Sequence, residues 1–144
     1  MIKIAAFQLY HIGGFIPRDG YENLERDMRF NLADPSRNLV SILRDEEVIA
    51  IVGLNNLRPG VGEVWLICSV LVEQCHIEFF KAVKNLVDIF VMEMMGLHRV
   101  HLAVDCRLPA NVKWAERLGF TLEGTMRKYD VEGNDHYLFA KVRE

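Results

Sequence analysis

The chain has 144 residues, 51% of them hydrophobic and 26% charged, with a net charge of −3. This is the size and balance of one globular domain with a sizeable core, and it excludes disordered, collagen-like and disulfide-scaffold proteins. No segment is strongly basic, which removes the electrostatic footprint of a nucleic-acid binder.

Residues 2–7 read as a first strand. Residues 11–20 read as a loop broken by Gly13, Gly14, Pro17 and Gly20. The four-residue spacing of Leu24, Met28 and Leu32 predicts a helix over 21–32, closed by Asp34-Pro35-Ser36. Apolar runs at 38–44 and 48–56 flank Asp45-Glu46-Glu47 as a hairpin does. A loop over 57–62 leads to a strand over 63–70. The clearest element is a helix over 76–95. Glu78, Lys81, Asn85 and Asp88 make its polar stripe, and Ile77, Phe80, Val83, Val87, Phe90 and Met94 an apolar one. A second apolar stripe (Phe79, Ala82, Leu86, Ile89) predicts burial on more than one side, with Met92, Met94 and Met95 as core fillers. Gly96 suits the C-cap.

Residues 99–105 alternate Val100, Leu102 and Val104 against His101, Ala103 and Asp105, which predicts a strand. Pro109 opens a helix running to Leu118, and Gly119 ends it. Strands over 120–128 and 136–142 then form a hairpin around residues 130–135. The order β α β β β α β α β β predicts a single α/β domain over residues 1–144, with a mixed, mostly antiparallel sheet and one central crossover.

The longest run without Asp, Glu, Lys or Arg, residues 4–17, has fourteen residues, against about 20 for a membrane helix. The first residues carry no small-residue cleavage site after a true apolar segment, so no signal peptide is read. Cys68, Cys75 and Cys106 are odd in number and lack CxxC spacing, which points to reduced thiols in a cytoplasmic protein.

Residues 115–127, AERLGFTLEGTMR, resemble the "EKLGF..EG..R" run of the ribosomal-protein-acetylating branch of the GCN5-related N-acetyltransferase superfamily. Gly133-Asn134-Asp135-His136-Tyr137 is similar to that branch's closing "G…D…Y". Leu97-His98-Arg99-Val100 is similar to its fifth strand, and Glu63-Val64-Trp65-Leu66 to its fourth. The specific match spans about residues 62–142. The resemblance implies the acyl-CoA N-acyltransferase fold, with helices on both faces of the sheet and a split between strands four and five that holds acetyl-CoA. It implies transfer of acetyl from acetyl-CoA to an amine of a protein or small molecule. It places the pantetheine arm on Ile67, Cys68 and Ser69, and the pyrophosphate on the helix start at Cys75, His76 and Ile77. A helix N-terminus offers unpaired N–H groups and a positive dipole end to such an anion.

Two departures stand out. The superfamily cradles the pyrophosphate with [RQ]-x-x-G-x-[GA], whereas Val70-Leu71-Val72-Glu73-Gln74-Cys75 contains no glycine and no basic residue, and Glu73 would face an anion. On the helix before Gly119 the family's cofactor-contacting serine is matched by Asn111, which still donates a hydrogen bond, and its general-acid tyrosine by Ala115. A kept LGF…EG tail with a lost glycine loop also resembles short acetyltransferase-like proteins of bacteriophages and prophages, some of which look like internal virion components. That resemblance implies an alternative: a non-catalytic module acting through a protein partner, found in a virion if phage-derived.

Glu63 is the candidate base, working through water on an incoming amine. Its ordinary alternative is a solvated strand-start carboxylate. His101 shares a strand face with Asp105, as a base pair or a surface pair, and Cys106 falls on the opposite face from His101. His98 and His101 point to opposite faces with no third ligand placed, so no metal is expected. Tyr129 and Tyr137 flank the final hairpin, which borders the acceptor pocket in the family, and are candidate substrate-lining residues. Arg18 and Arg58 fall in loops, where arginine is ordinarily a solvated charge. The expected partners are acetyl-CoA with an amine acceptor, or a protein; a homodimer is admitted, and neither nucleic acid nor membrane is expected.

Overall fold

In the computed structural model, which describes residues 1–19, 23–35 and 37–144, every expected strand and helix is found, in the expected order. Strand β1 (Ile2–Ala6) is followed by helix α1 (Leu24–Leu32), β2 (Arg37–Arg44), β3 (Glu47–Arg58) and β4 (Val61–Cys68). Helix α2 starts at His76, and β5 (Arg99–Asp105), α3 (Pro109–Arg117), β6 (Thr121–Met126) and β7 (His136–Val142) follow. The seven strands form one sheet in the order β1-β2-β3-β4-β5-β7-β6. All neighbours are antiparallel except β4 and β5. The expected starts of α1 at Tyr21 and Glu22, and the breakers Gly20 and Ser36, lie outside the described residues.

Strand alternation decides which helix covers which face. Val52, Leu54, Val64, Val100 and Val104 pack with Phe79 and Val83 of α2, with Leu86 just after it, and with Ala115 of α3 and Leu118 at its end. Ile51 points the other way, onto Leu24 and Met28 of α1 and onto Phe7. Helices therefore cover both faces. Leu24 and Met28 are buried as their spacing predicts, but Leu32 is half exposed and Asn31 is buried in its place. Asn31 sits there satisfied: its amide donates to the Asp27 carbonyl at 2.8 Å and its oxygen accepts from Arg37 at 3.3 Å.

The LGF motif has a local physical reason. Gly119 (φ +96) takes the left-handed conformation that ends α3. Its N–H bonds the Glu116 carbonyl at 3.0 Å, while Phe120 N–H bonds Ala115 at 3.1 Å. These are the two bonds of a Schellman cap, and they drive Phe120 into the core at 4% exposure.

Two elements differ from expectation. The strand expected over 63–70 stops at Cys68, because Ser69 turns the chain and its hydroxyl accepts the Leu71 N–H at 3.0 Å, capping a 3₁₀ turn over Val70–Gln74. The helix expected over 76–95 is α-helical only over His76–Asn85 and continues as a π-helix over Leu86–Met94. The wider turns bury Leu86, Val87, Val91 and Met92 and leave Phe90 and Met94 outside. Of the expected core stripe, Ile77, Phe90 and Met94 are exposed. Strand β7 ties down this unusual end: Arg143 donates to the Met92 carbonyl at 2.9 Å, and Lys141 bonds both Asp88 and the Leu118 carbonyl. Burial opposes the charge on Asp88, but hydrogen bonds from Lys141 and Lys84 prevail and hold its carboxyl below the usual range. No helix among the described residues is long and apolar enough to cross a membrane.

Gly53 lets the Trp65 indole lie against β3, since a Cβ there would stand 2.1 Å from Trp65 Cε2. Gly53→Ala therefore displaces Trp65. The expected outcome is a loss of about 1–3 kcal/mol in urea unfolding together with altered tryptophan fluorescence.

Candidate functional site

Strands β4 and β5 pair over three positions only, Val61↔Arg99, Gly62↔Val100 and Glu63↔His101. Beyond Glu63 they diverge. Each is held along its length by its outer neighbour, β4 by β3 and β5 by β7. Among the described residues no strand pairs with the β5-facing edge of β4 from Val64 to Ile67. The divergence opens a cavity of about 750 Å³, the size of a small-molecule site. Leu66, Leu102, Val104, Phe79 and Trp114 line it with apolar surface. Trp114 is fixed by stacking on Phe79, with centroids 5.6 Å apart and planes at 11°.

Charged and polar groups gather at the mouth. His76 and Ile77 bring the first turn of α2 there, together with Glu73. Arg18, from the loop before α1, reaches across the split and donates to Asn111 Oδ1 on α3 at 3.2 Å. The same loop pairs with the chain leaving β4. Arg18 N–H donates to the Cys68 carbonyl at 2.8 Å, Val70 N–H donates to the Ile16 carbonyl at 3.0 Å, and Pro17 bridges Ser69. Burial pushes the Cys68 thiol up to about 12, with Arg18 pulling it down and Asp19 up.

A second group of side chains occupies the sheet face that carries Glu63, His101 and Asp105. His101 Nε2 stands 3.6 Å from Glu63 Oε2, and Asn55 donates to Glu63 Oε1 at 3.3 Å. The His101 Nδ1 atom is buried without a hydrogen-bond partner. Tyr129 lies nearby, its phenol raised above the ordinary value by burial and then by the Glu63 charge. Its ring packs on His136 at 5.1 Å between centroids. His136 in turn meets Asp130 at 3.1 Å, and Arg107 pairs with Asp105 at 2.7 Å. Ligand atoms of Asp105, Asp130 and His136 lie within 4.8 Å of one another. Their contacts are internal ion pairs and hydrogen bonds, which is a sufficient reason for the grouping.

The structure thus brings Ile67, Cys68, His76, Ile77 and Asn111 around one cavity, and Glu63, His101 and Tyr129 beside its closed end. It places Ser69, Cys75 and Tyr137 elsewhere. Ser69 is 1% exposed, its N–H is taken by the Ile49 carbonyl and its hydroxyl by Leu71. Cys75 is buried, with its N–H on the Val72 carbonyl. Tyr137 pairs with Val104 in the β5–β7 register and so lies on the opposite face from Tyr129, against Val112 and Phe120. Strand alternation carried that signal, since Tyr137 adjoins His136 and the two must face opposite ways. The role of Arg18 had no local signal, because its partners are 50 and 93 residues away.

No family model matches the chain, and no curated protein matches it. Solved structures do. A protein of T. thermophilus, provisionally named an acetyltransferase, superposes with a TM-score of 0.80 at 20% identity, covering 99% of this chain and 86% of that one. A variant of the spermidine N-acetyltransferase SpeG from Vibrio cholerae gives 0.74 at 16% identity, covering 98% and 93%. The ribosomal-protein-S5-alanine acetyltransferase from Vibrio fischeri gives 0.71 at 17%, covering 99% and 93%. The chain therefore has the GCN5-related N-acetyltransferase fold, as its LGF…EG block implies. These likenesses lend nothing to the phage resemblance.

Asp130 accepts the Asn134 backbone N–H at 2.7 Å, and His136 and the Asn134 amide add to it; together they hold its carboxyl at about 2. A carboxyl depressed in the folded state stabilises the fold above its unfolded value, near 4, and that contribution is lost as pH falls toward about 2. Asp130→Asn is expected to flatten the fall in stability between about pH 4 and pH 2, read by urea unfolding across that range.

Proposed function

We propose that this chain is an N-acetyltransferase that moves acetyl from acetyl-CoA to an amine of a protein or small molecule. One observation carries the reading: the Glu63–His101 pair stands where the split closes, beside a free edge of β4 and an apolar cavity. The shared fold with enzymes named for spermidine and for a ribosomal protein supports it.

The residues present fit the donor in part. The free edge from Val64 to Ile67 offers backbone groups to an extended polyamide arm, and the cavity excludes water from its apolar floor. The start of α2 at His76 and Ile77 offers N–H groups and a positive dipole end, but Glu73 at the same mouth opposes an anion. Asn111 stands on the far wall with an amide to donate. Acetyl-CoA, when bound, supplies an acetyl thioester.

Glu63 takes a proton from an incoming ammonium through a water; Asn55, donating at 3.3 Å, holds the carboxylate in place, and His101 stands 3.6 Å from its other oxygen. A backbone N–H on the free edge of β4 polarises a carbonyl laid along it. Tyr129, close enough to feel the Glu63 charge, lines the side from which the acceptor arrives in this reading. Ala115, 2% exposed, offers no acid to a leaving thiolate, so water serves there.

A second reading, a non-catalytic module of the same fold that acts through a protein partner, is favoured by Glu73 at the helix start where the fold's enzymes place a glycine loop. The two readings separate on ligand binding. A saturating 100-fold excess of acetyl-CoA over its dissociation constant stabilises the fold by about 2.7 kcal/mol, a rise of several degrees in Tm. That rise, absent with adenine, supports transfer; no rise at millimolar acetyl-CoA leaves the module. With an amine acceptor in hand, Glu63→Gln is expected to lower kcat roughly a hundredfold or more, with the acetyl-CoA Tm shift kept, in a thiol-release assay.

A further inference from the structure

We propose that residues 16–19 form a strap that shuts the split, with Arg18 as its latch. The strap adds to β4 as a short antiparallel segment on the side that β5 leaves free. The Cys68 carbonyl takes Arg18 N–H at 2.8 Å, and the Ile16 carbonyl takes Val70 N–H at 3.0 Å, around the Pro17–Ser69 bridge. The opposite edge of the same segment is occupied by β3, which pairs Cys68 with Ala50 and takes Ser69 N–H on the Ile49 carbonyl. The strap therefore occupies the edge of β4 that would otherwise be open to a ligand at this end. An incoming extended arm finds Val64 to Ile67 free and Cys68 taken.

The latch joins the two walls. The guanidinium of Arg18 leaves the β4 side and bonds Asn111 on α3, which belongs to the β5 side. A charged donor on a neutral amide holds the strap down without burying a charge, since Arg18 stays about a third exposed at its side chain. Breaking the bond frees the Asn111 amide and leaves the strap, and with it the Cys68 carbonyl, held by two backbone bonds alone. Asn111 and Cys68 line the cavity mouth from opposite sides. A ligand that takes the Cys68 carbonyl must displace the strap, and its affinity is reduced by the fraction of time the strap is closed. The identity of that ligand as acetyl-CoA rests on the transfer reading above; the strap itself does not.

The test uses the full chain and two readouts. Arg18→Ala is compared with the parent for the rate at which N-ethylmaleimide labels Cys68, followed by peptide mass with Cys106 as reference, and for the acetyl-CoA dissociation constant by calorimetry. Loss of the latch is expected to raise Cys68 labelling roughly tenfold and to tighten acetyl-CoA by a similar factor, about 1.4 kcal/mol. Arg18→Cys supplies the converse. Position 18 stands opposite Cys68 in the strap register, so oxidation locks the strap and abolishes binding, and reduction restores it. Unchanged Cys68 labelling in Arg18→Ala overturns the strap. Faster labelling with acetyl-CoA bound by the parent and bound no more tightly by Arg18→Ala overturns its role as a gate. Faster labelling with no acetyl-CoA binding in any variant keeps the strap and removes the transfer reading.

Discussion

Among the described residues three parallel pairs join the two halves of the sheet, and the rest of the molecule is arranged around the fact that there are no more. A parallel ladder gains with every added pair, so a strand couple that stops after Glu63 and His101 must be held apart by something else. Here the holding is done from outside. Strand β4 is saturated by β3 and β5 by β7, and each outer ladder runs the length of its strand. The inner edge of β4 is left with peptide groups that need partners. The side chains that a closed sheet would have pressed together, Leu66 against Leu102 and Val104, become facing walls of an apolar space. The split is therefore a consequence of how the outer strands pair, and needs no insertion or loop to prop it open.

Strand parity then divides the chemistry. On β4 and β5 the even positions from Val64 and Val100 onward turn to α2 and α3, and the odd ones, Glu63, His101 and Asp105, turn to the other face. The titratable pairs near the split, Glu63–His101, Asp130–His136 and Asp105–Arg107, fall on that second face. The apolar cavity and the polar cluster are thus two sides of one opening. This division suits a reaction in which one partner is held by backbone and apolar contact and the other is an amine that must lose a proton.

Much of this could be read from residue order. Period-two and period-3.6 patterns pointed to seven strands and three helices, because each element buries one face and its side chains say so. The LGF motif was legible for a stronger reason, since a Schellman cap needs a glycine between two buried residues. The π-helical run was not legible, because the same apolar residues satisfy either helix and only their exposure, Met94 out and Met92 in, tells them apart. The pairing of residues 16–18 with 68–70 was hidden for another reason. It is made of backbone bonds across 50 residues, and backbone groups are the same in every sequence. Tyr129 and Tyr137 show how far a pattern goes when register is ignored: both flank one hairpin, and one residue of parity sends them to opposite faces.

The position of β7 bears on how the chain reaches this state. It is the latest of the seven strands in chain order, yet it lies between β5 and β6. On a ribosome, β5 and β6 emerge first and have no ladder to form with each other. Each waits with an open edge until residues 136–142 slide between them. Lys141 and Arg143 arrive with that strand, so the ends of α2 and α3 also stay unclamped until then. The half of the domain that carries the LGF block cannot be completed piece by piece during synthesis. It closes in one late step, and until then its unpaired edges are open to chaperones and to neighbouring chains.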